Sequence, residues 1–140
     1  MRVRDSSSRS MLQRSHRMDT ELPALLQDWL HAHPPPSRCQ IGPIPSGWSA
    51  PVLDVLEQLD AWRIEPRICK YKFGTLRLDV RRPSDLSPWL LMRIDTRIAR
   101  AQALCAQRCI YCGGAARAAS EADRHLLGPH CSACIPVAAR

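Results

Sequence analysis

Two pairs of cysteines near the C-terminus have the residue type and the spacing to bind a metal ion. Cys109 and Cys112 enclose two residues, as do Cys131 and Cys134, and eighteen residues separate the pairs. Such a spacing lets both sulfur atoms of a tight turn point at one ion, and Gly113 gives the first turn the conformational freedom it needs. Four thiolates in tetrahedral geometry favour Zn²⁺ and leave no position for water. The sequence therefore predicts one structural zinc site.

The same cysteines permit other interpretations. Paired disulfides would need an oxidising compartment, a redox-active pair would need a βαβ context that the sequence lacks, and an iron–sulfur cluster can use the same thiolates. His125 or His130 could replace one cysteine as a ligand. Of the remaining cysteines, Cys105 is assigned to a buried helix face, Cys39 to a loop and Cys69 to a strand.

The chain between the two cysteine pairs is long enough for a short hairpin. Arg117 and Ala118 could form one strand and residues 125–127 the other, around a polar turn at residues 120–123. The sequence given ends six residues after Cys134, which leaves little room for a closing helix. Both a ribbon-like and a treble-clef-like finger are open.

Hydrophobic periodicity predicts a first helix that the proline run from residue 34 ends. Thr20 is its expected N-cap, with Glu21 and Pro23 in the first turn. Its apolar face consists of Leu22, Leu25, Leu26, Trp29 and Leu30. Residues 33–48 hold five prolines and two glycines and are predicted to form a loop.

A second helix is predicted from Ser49, with Pro51 in its first turn and Pro66 as its end. Its buried stripe consists of Val52, Val55, Leu56, Leu59 and either Ala61 or Trp62. A hairpin follows, in which residues 68–72 and 75–80 flank Phe73-Gly74 and apolar residues alternate with charged ones.

A third helix is predicted to begin at Ser84 or Ser87, followed by Pro88, and to run to about Cys105. Its apolar positions are Leu90, Leu91, Ile94, Ile98, Ala101 and Cys105. The predicted fold is therefore α+β, a small helix–hairpin–helix core with a C-terminal zinc finger. It has three parts: a disordered basic arm at 1–18, the core at 19–106 and a zinc-binding module at 107–140.

Charge is unevenly distributed along a chain whose net charge is +7. Residues 19–62 hold six acidic residues and one basic one, whereas residues 63–108 hold eleven basic and four acidic ones. This asymmetry favours an anionic partner, either nucleic acid or an acidic protein face. The expected contact residues are Lys70, Lys72, Arg77, Arg93, Arg97 and Arg100. A solvated helix face would also explain the three helix arginines. Tyr71 and Phe73 could stack on bases or pack in the core.

The sequence favours a binding protein over an enzyme. It contains no His-Glu-x-x-His motif, glycine-rich phosphate loop or serine–histidine–aspartate order. Solvated helix faces account for Asp28, Asp54, Glu57 and Asp60. No run approaches the roughly 20 apolar residues of a membrane span, and the first 18 residues lack the apolar region of a secretory signal. We therefore expect a cytoplasmic protein.

Four features that begin at Gly47-Trp48 resemble a family of small, largely uncharacterised bacterial and phage or prophage proteins. They are a Gly-Trp lead into a helix, a Lys-x-Lys-Phe-Gly-x-Leu-Arg hairpin at residues 70–77, a connecting helix through Cys105, and a Cys-x-x-Cys-Gly zinc module at residues 109–113. The resemblance covers residues 47–134 and implies a bacterial or mobile-element setting, but no activity. The basic arm and the proline-rich loop depart from the family pattern.

Two hypotheses for the function follow. The first is an inhibitor or adaptor from a mobile element that binds a host protein or nucleoprotein complex, where the acidic stretch 19–62 could occupy a basic channel. The alternative is a zinc-finger protein that binds DNA or RNA through a basic hairpin–helix face.

Overall fold

The structure, a computed structural model, describes residues 14–16, 22–35, 38–117 and 128–136. Within these residues the chain has three α-helices, a three-stranded sheet and a separate pair of short strands. The helices are α1 (Ala24–Ala32), α2 (Ser49–Ala61) and α3 (Pro88–Ala106), and a 3₁₀ turn at Ser46–Trp48 precedes α2. The strands are β1 (Arg14–His16), β2 (Gln40–Ile41), β3 (Pro66–Lys72), β4 (Thr75–Val80) and β5 (Cys134–Pro136). The predicted α+β class is confirmed.

Helix α1 begins later than the sequence predicts. Its N-cap is Pro23, whose ψ of 149° is extended, and the Gln27 N–H group donates to the Pro23 carbonyl oxygen at 2.9 Å. Thr20, the expected N-cap, lies outside the described residues. Leu26 is buried, but Leu25 of the predicted apolar face is exposed. Because α1 packs mainly against α2, it buries only a narrow stripe.

Helix α2 begins at Ser49, as predicted, and ends before Pro66. Arg63 takes a left-handed φ of 58°, which lets its N–H group donate to Asp60 O and the Ile64 N–H group donate to Leu59 O, both at 2.9 Å. These two bonds form a Schellman motif, in which glycine usually stands where Arg63 does. The prediction that Pro66 ends the helix was therefore wrong.

Strands β2, β3 and β4 form the sheet in that order. β3 and β4 are the predicted hairpin, paired antiparallel around Phe73-Gly74. β2 adds to β3 in parallel, with Gln40 opposite Ile68. The prediction of a loop throughout 33–48 was wrong for β2 and for the 3₁₀ turn. β2 forms because the open edge of β3 offers backbone groups to a short extended segment.

Helix α3 has the predicted start. The Ser87 hydroxyl accepts a hydrogen bond from the Leu90 N–H group at 3.1 Å, and Pro88 follows as the first helical residue, where no N–H group is needed. The buried face carries Ile94, Ile98, Ala101 and Cys105. In the described part of the chain, no helix is both long and apolar enough to cross a lipid bilayer.

One cluster of buried side chains joins the helices, the hairpin and the first cysteine pair. Its members include Leu26, Trp48, Val55, Leu59, Leu76, Leu78, Ile94, Ile98, Cys105 and Ile110. The burial predicted for Leu76, Leu78, Ile94 and Ile98 is confirmed. Ile110 lies between Cys109 and Cys112, so the cysteine turn itself contributes a side chain to the core.

β1 and β5 pair in parallel, with Arg14 opposite Cys134. The sequence predicted a disordered arm at 1–18, and the structure departs from that prediction at Arg14–His16, because β5 gives this segment a backbone partner. The rest of the arm lies outside the described residues.

Replacement of a buried core residue should destabilise the fold strongly. Leu76→Ala or Ile98→Ala should lower the free energy of unfolding by about 2–5 kcal/mol, because each leaves a cavity. Urea denaturation followed by circular dichroism measures this change. Met92→Ala, at an exposed site on α3, is the control and should change it by no more than about 0.5 kcal/mol. Core variants as stable as Met92→Ala would contradict the assigned core.

Candidate metal centre and basic surface

The four paired cysteines converge on one point. The sulfur atoms of Cys109, Cys112, Cys131 and Cys134 all lie within 4.8 Å of one another, and Cys112 Sγ lies 3.6 Å from Cys131 Sγ. In a tetrahedral site with metal–sulfur bonds of about 2.3 Å, the sulfur atoms lie about 3.8 Å apart. The cluster therefore fits one metal ion, on the residues that the spacing predicted.

Backbone hydrogen bonds shape the first cysteine turn. The Gly113 N–H group donates to Cys109 O at 3.0 Å, and the Cys109 N–H group donates to Gly114 O at 2.7 Å. Gly113 has a φ of 78°, so the freedom expected of this glycine is used. The Gly114 N–H group donates to Cys112 Sγ at 3.4 Å, which directs a backbone dipole at that sulfur.

The second cysteine turn is joined to the first by backbone bonds. The Ile110 N–H group donates to Pro129 O at 2.9 Å, and the Arg117 N–H group donates to His130 O at 3.1 Å. Cys134 leads directly into β5 rather than into a helix. Arg117, the first residue of the hairpin predicted between the pairs, is not part of a strand, and the rest of that hairpin, residues 118–127, lies outside the described residues.

The sulfur environments are electrostatically unequal. Burial raises the pKa of Cys109, but the backbone N–H groups of Cys112, Cys131 and Tyr111 donate to its sulfur, and the net pKa is lowered to about 7. Burial and hydrogen bonds to neighbouring thiols raise the pKa of Cys134. Because thiolates this close repel one another, ionising all four requires a cation among them.

The other cysteines have environments that suit structural roles. Burial is the main cause that raises the pKa of both Cys69 and Cys105 to about 12, so these core thiols stay protonated at pH 7. Cys39 lies before β2, and burial, then Glu65, raises its pKa. The structure confirms that Cys69 lies in a strand, Cys105 on a buried helix face and Cys39 in a loop.

His130 is buried but does not belong to the ligand cluster found among the described residues. Its Nδ1 lies 3.3 Å from Gly128 O, and Arg117 Nε donates to its Nε2 at 3.4 Å. Both ring nitrogens are thus engaged away from the sulfurs. His125, the other histidine considered, lies outside the described residues.

Gly47 and Trp48 fasten the first cysteine turn to the core. The Gly47 N–H group donates to Ile110 O at 2.9 Å, and Trp48 Nε1 donates to Arg108 O at 3.2 Å. A Cβ atom on Gly47 would lie 2.0 Å from Cys109 O, so glycine is required at this approach. The Gly-Trp pair is part of the family resemblance, but nothing in its local sequence predicts the contact with the cysteine turn.

The outer face of the hairpin carries a row of cations. Lys70 lies opposite Arg77 in the strand register, and Lys72 lies two residues further along β3. Core residues such as Leu76 and Leu78 point to the other face, since side chains alternate along a strand. Asp79 shares the outer face but is bound by Arg67, whose Nε donates to Asp79 Oδ2 at 3.0 Å.

The three arginines of α3 do not form one uniform surface. Arg97 is only partly exposed, and its Nη2 donates to Asp54 Oδ2 at 2.7 Å. The Arg93 guanidinium lies 4.7 Å from the Trp89 ring centroid and 5.8 Å from that of Trp62. Arg100 is exposed. Of the six predicted contact residues, Lys70, Lys72 and Arg77 lie together on the hairpin. The three helix arginines differ in their environments: one is in an ion pair, one lies against tryptophan rings and one is exposed.

The two hairpin aromatic residues have different environments. Tyr71 packs against the core, with its ring centroid 5.7 Å from that of Trp48. Phe73 is 86% exposed at the tip of the turn. Packing therefore accounts for Tyr71 but not for Phe73.

Comparisons of the chain with models of protein families, with curated proteins and with solved structures gave no match. The function is therefore inferred from the side chains of the metal centre and the basic surface.

Gly47→Ala should release the first cysteine turn, because the added methyl group would overlap the Cys109 carbonyl oxygen. We expect a lower melting temperature and faster loss of bound metal to a chromogenic chelator. Gly42→Ala is the matched control, since its Cβ would lie 2.6 Å from Lys70 Cβ and so disturb the sheet rather than the cysteine turn. If both variants lose metal to the chelator at the same rate, the contact between Gly47 and the cysteine turn does not stabilise the metal centre.

Proposed function

We propose that this protein is a non-enzymatic nucleic-acid-binding protein whose fold is held by one zinc ion. The observation that carries the proposal is the outer face of the hairpin. There Lys70, Lys72 and Arg77 lie together, and none forms an ion pair with another described residue. The sequence alone placed a protein or nucleoprotein partner first, but the distribution of ion pairs favours nucleic acid.

The metal proposed for the centre is zinc. Its four donors are all cysteine sulfurs, and their mutual distances within 4.8 Å leave room for one ion rather than for a multi-iron cluster. Tetrahedral four-thiolate sites are typical of structural zinc. When bound there, zinc would neutralise the thiolates and tie the two cysteine turns together. With every ligand position taken by protein, the centre offers no site for a reacting water, which supports a non-enzymatic role.

Ion pairs elsewhere show why the hairpin face is distinctive. Arg82 and Arg97 lie within 2.8 Å of a carboxylate oxygen, and Arg81 lies 3.8 Å from Glu65. Four of the eleven basic residues in 63–108, namely Arg67, Arg81, Arg82 and Arg97, thus lie in ion pairs. Lys70 and Arg77 instead face each other across the hairpin, an unfavourable pair of like charges that a bound phosphate would relieve.

We further propose that the protein is cytoplasmic. All seven cysteines are free thiols, four of them gathered as metal ligands and two buried in the core. A reducing compartment keeps such thiols available for metal binding.

A protein partner is the second candidate, and one surface favours it. Arg93 rests on Trp89, close to Trp62, and Met92 beside it is exposed. Tryptophan, arginine and methionine are enriched at protein interfaces. An inhibitor or adaptor that binds a host protein or nucleoprotein complex, in the mobile-element setting of the resemblance, would use this end of α3.

Metal analysis of the purified protein should find one zinc ion per chain. Cys112→Ser or Cys131→Ser should release it and unfold the cysteine module, because structural zinc contributes on the order of 10–16 kcal/mol of binding energy that is coupled to folding. Cys39→Ser, which alters a thiol outside the cluster, is the control and should keep one zinc. A protein that contains neither zinc nor iron would refute the metal centre, and iron in its place would replace the proposed metal.

Binding to a labelled oligonucleotide should weaken steeply as salt rises. Changing Lys70, Lys72 and Arg77 together to glutamine should reduce the slope of log K against log salt by about 2, since each contact to a single-strand phosphate contributes about 0.7. Fluorescence anisotropy at several salt concentrations measures the slope.

The control removes the same charge from another part of the surface. Arg38, Arg81 and Arg82 each lie in an exposed ion pair, and changing all three to glutamine should leave the slope nearly unchanged. Equal loss in both triple variants would indicate a general charge effect. A wild-type protein that binds no oligonucleotide at low salt would overturn the nucleic-acid proposal in favour of the protein partner.

A further inference from the structure

Resting on the proposed function, we infer that the ligand is a single strand of nucleic acid and that Phe73 stacks on one of its bases. Phe73 is the tip of the hairpin between β3 and β4, and 86% of its surface is exposed. It adjoins the face that carries Lys70, Lys72 and Arg77. An aromatic platform beside a row of cations is the combination by which proteins bind single strands.

The backbone of the turn disfavours an aromatic residue at this position. Phe73 has a φ of 52° and Gly74 a φ of 80°, the two positive values of a type I′ turn. Asparagine, aspartate and glycine adopt such angles readily, whereas for a bulky side chain they are an outlier. Local conformation therefore gives no reason for phenylalanine here, and an outlier of this kind points to function.

Packing does not compensate for the strain. Among the described residues, Lys72 Nζ lies 5.5 Å from the ring centroid, and such a contact is weak when exposed. Tyr71, two positions earlier, is by contrast held against Trp48 in the core. A ligand that covers the Phe73 ring would account for its presence at the tip.

The cations are spaced for an extended strand of phosphates. Lys70 and Lys72 lie on one face two residues apart, about 6.6 Å along a strand, which is comparable to the separation of successive phosphates in an extended chain. In a duplex, neighbouring bases cover both faces of each base, so a ring on a two-residue turn finds no free base face on which to stack. In a single strand those faces are open.

The segment before the second cysteine pair supports the turn from behind. A Cβ atom built on Gly128 would lie 3.3 Å from Gly74 Cα and 3.5 Å from the Tyr71 ring. Gly128 thus lies against the turn, three residues before Cys131, and we expect this contact to restrict the hairpin tip before a ligand arrives. A binding group that is ordered in advance loses less entropy on association.

Phe73→Asn tests the inference because it affects stability and binding in opposite directions. Asn-Gly suits a type I′ turn, so the melting temperature should stay the same or rise. Affinity for a short single-stranded oligonucleotide should fall between about 5-fold and 150-fold, the equivalent of the roughly 1–3 kcal/mol of one base–aromatic stack. Wild-type protein should bind a duplex of the same sequence more weakly than the single strand.

Two variants serve as controls for ring chemistry and for ring position. Phe73→Tyr keeps an aromatic ring at the tip and should retain wild-type affinity. Trp89→Ala removes an exposed ring from α3 and should also leave the affinity unchanged. If Phe73→Tyr loses binding as Phe73→Asn does, stacking is overturned.

The outcomes separate this inference from the function on which it rests. If Phe73→Asn binds the single strand as wild type does while the hairpin cation variant loses binding, stacking is overturned and the nucleic-acid function stands. Duplex and single strand bound equally well would also overturn the inference alone. If wild type binds neither, or if Phe73 proves to mediate capture of a protein, both are overturned.

Discussion

The contact between Gly47 and the first cysteine turn is the constraint on which the rest of the structure depends. The two backbones lie so close that only a hydrogen atom fits between the Gly47 Cα and the Cys109 carbonyl oxygen. Trp48 follows in the chain and is fully buried, and Ile110 from the cysteine turn enters the same core cluster. Metal centre and core therefore share side chains, and to separate them would expose two large apolar groups to water.

The same cysteine turn sets the chemistry of the sulfurs through the direction of its backbone N–H groups. Cys105 and Cys109 are both buried, yet the pKa of Cys105 is raised to about 12 whereas that of Cys109 is lowered to about 7. Burial acts on both, but hydrogen bonds from the backbone N–H groups of Cys112, Cys131 and Tyr111 and from the Cys112 side chain lower the pKa of Cys109. A thiolate that accepts several backbone hydrogen bonds is prepared for a cation, whereas a thiol without them is an apolar core residue.

Local patterns made some of this structure predictable, and contacts between distant segments made the rest unpredictable. The hairpin follows from alternation along residues 75–80, and the start of α3 follows from Ser87-Pro88. The cysteine cluster follows from spacing, because two intervening residues are enough to form each cysteine turn. β2 has no periodicity and exists only because β3 offers an edge. The role of Gly47 likewise depends on a partner far along the chain.

The net charge of the sequence could not show where a basic binding surface lies, because it does not distinguish cations that are paired within the fold from those that are not. On α3 the helical period brings Arg97 within reach of Asp54 on a neighbouring helix. On the hairpin, a period of two places every second residue on the solvent side, where the acidic Asp79 is already held by Arg67. The repulsion between the cations Lys70, Lys72 and Arg77 on that face must be offset by favourable contacts elsewhere in the hairpin. The opposite face of the same strands, buried against α3, supplies the apolar contacts that hold like charges side by side.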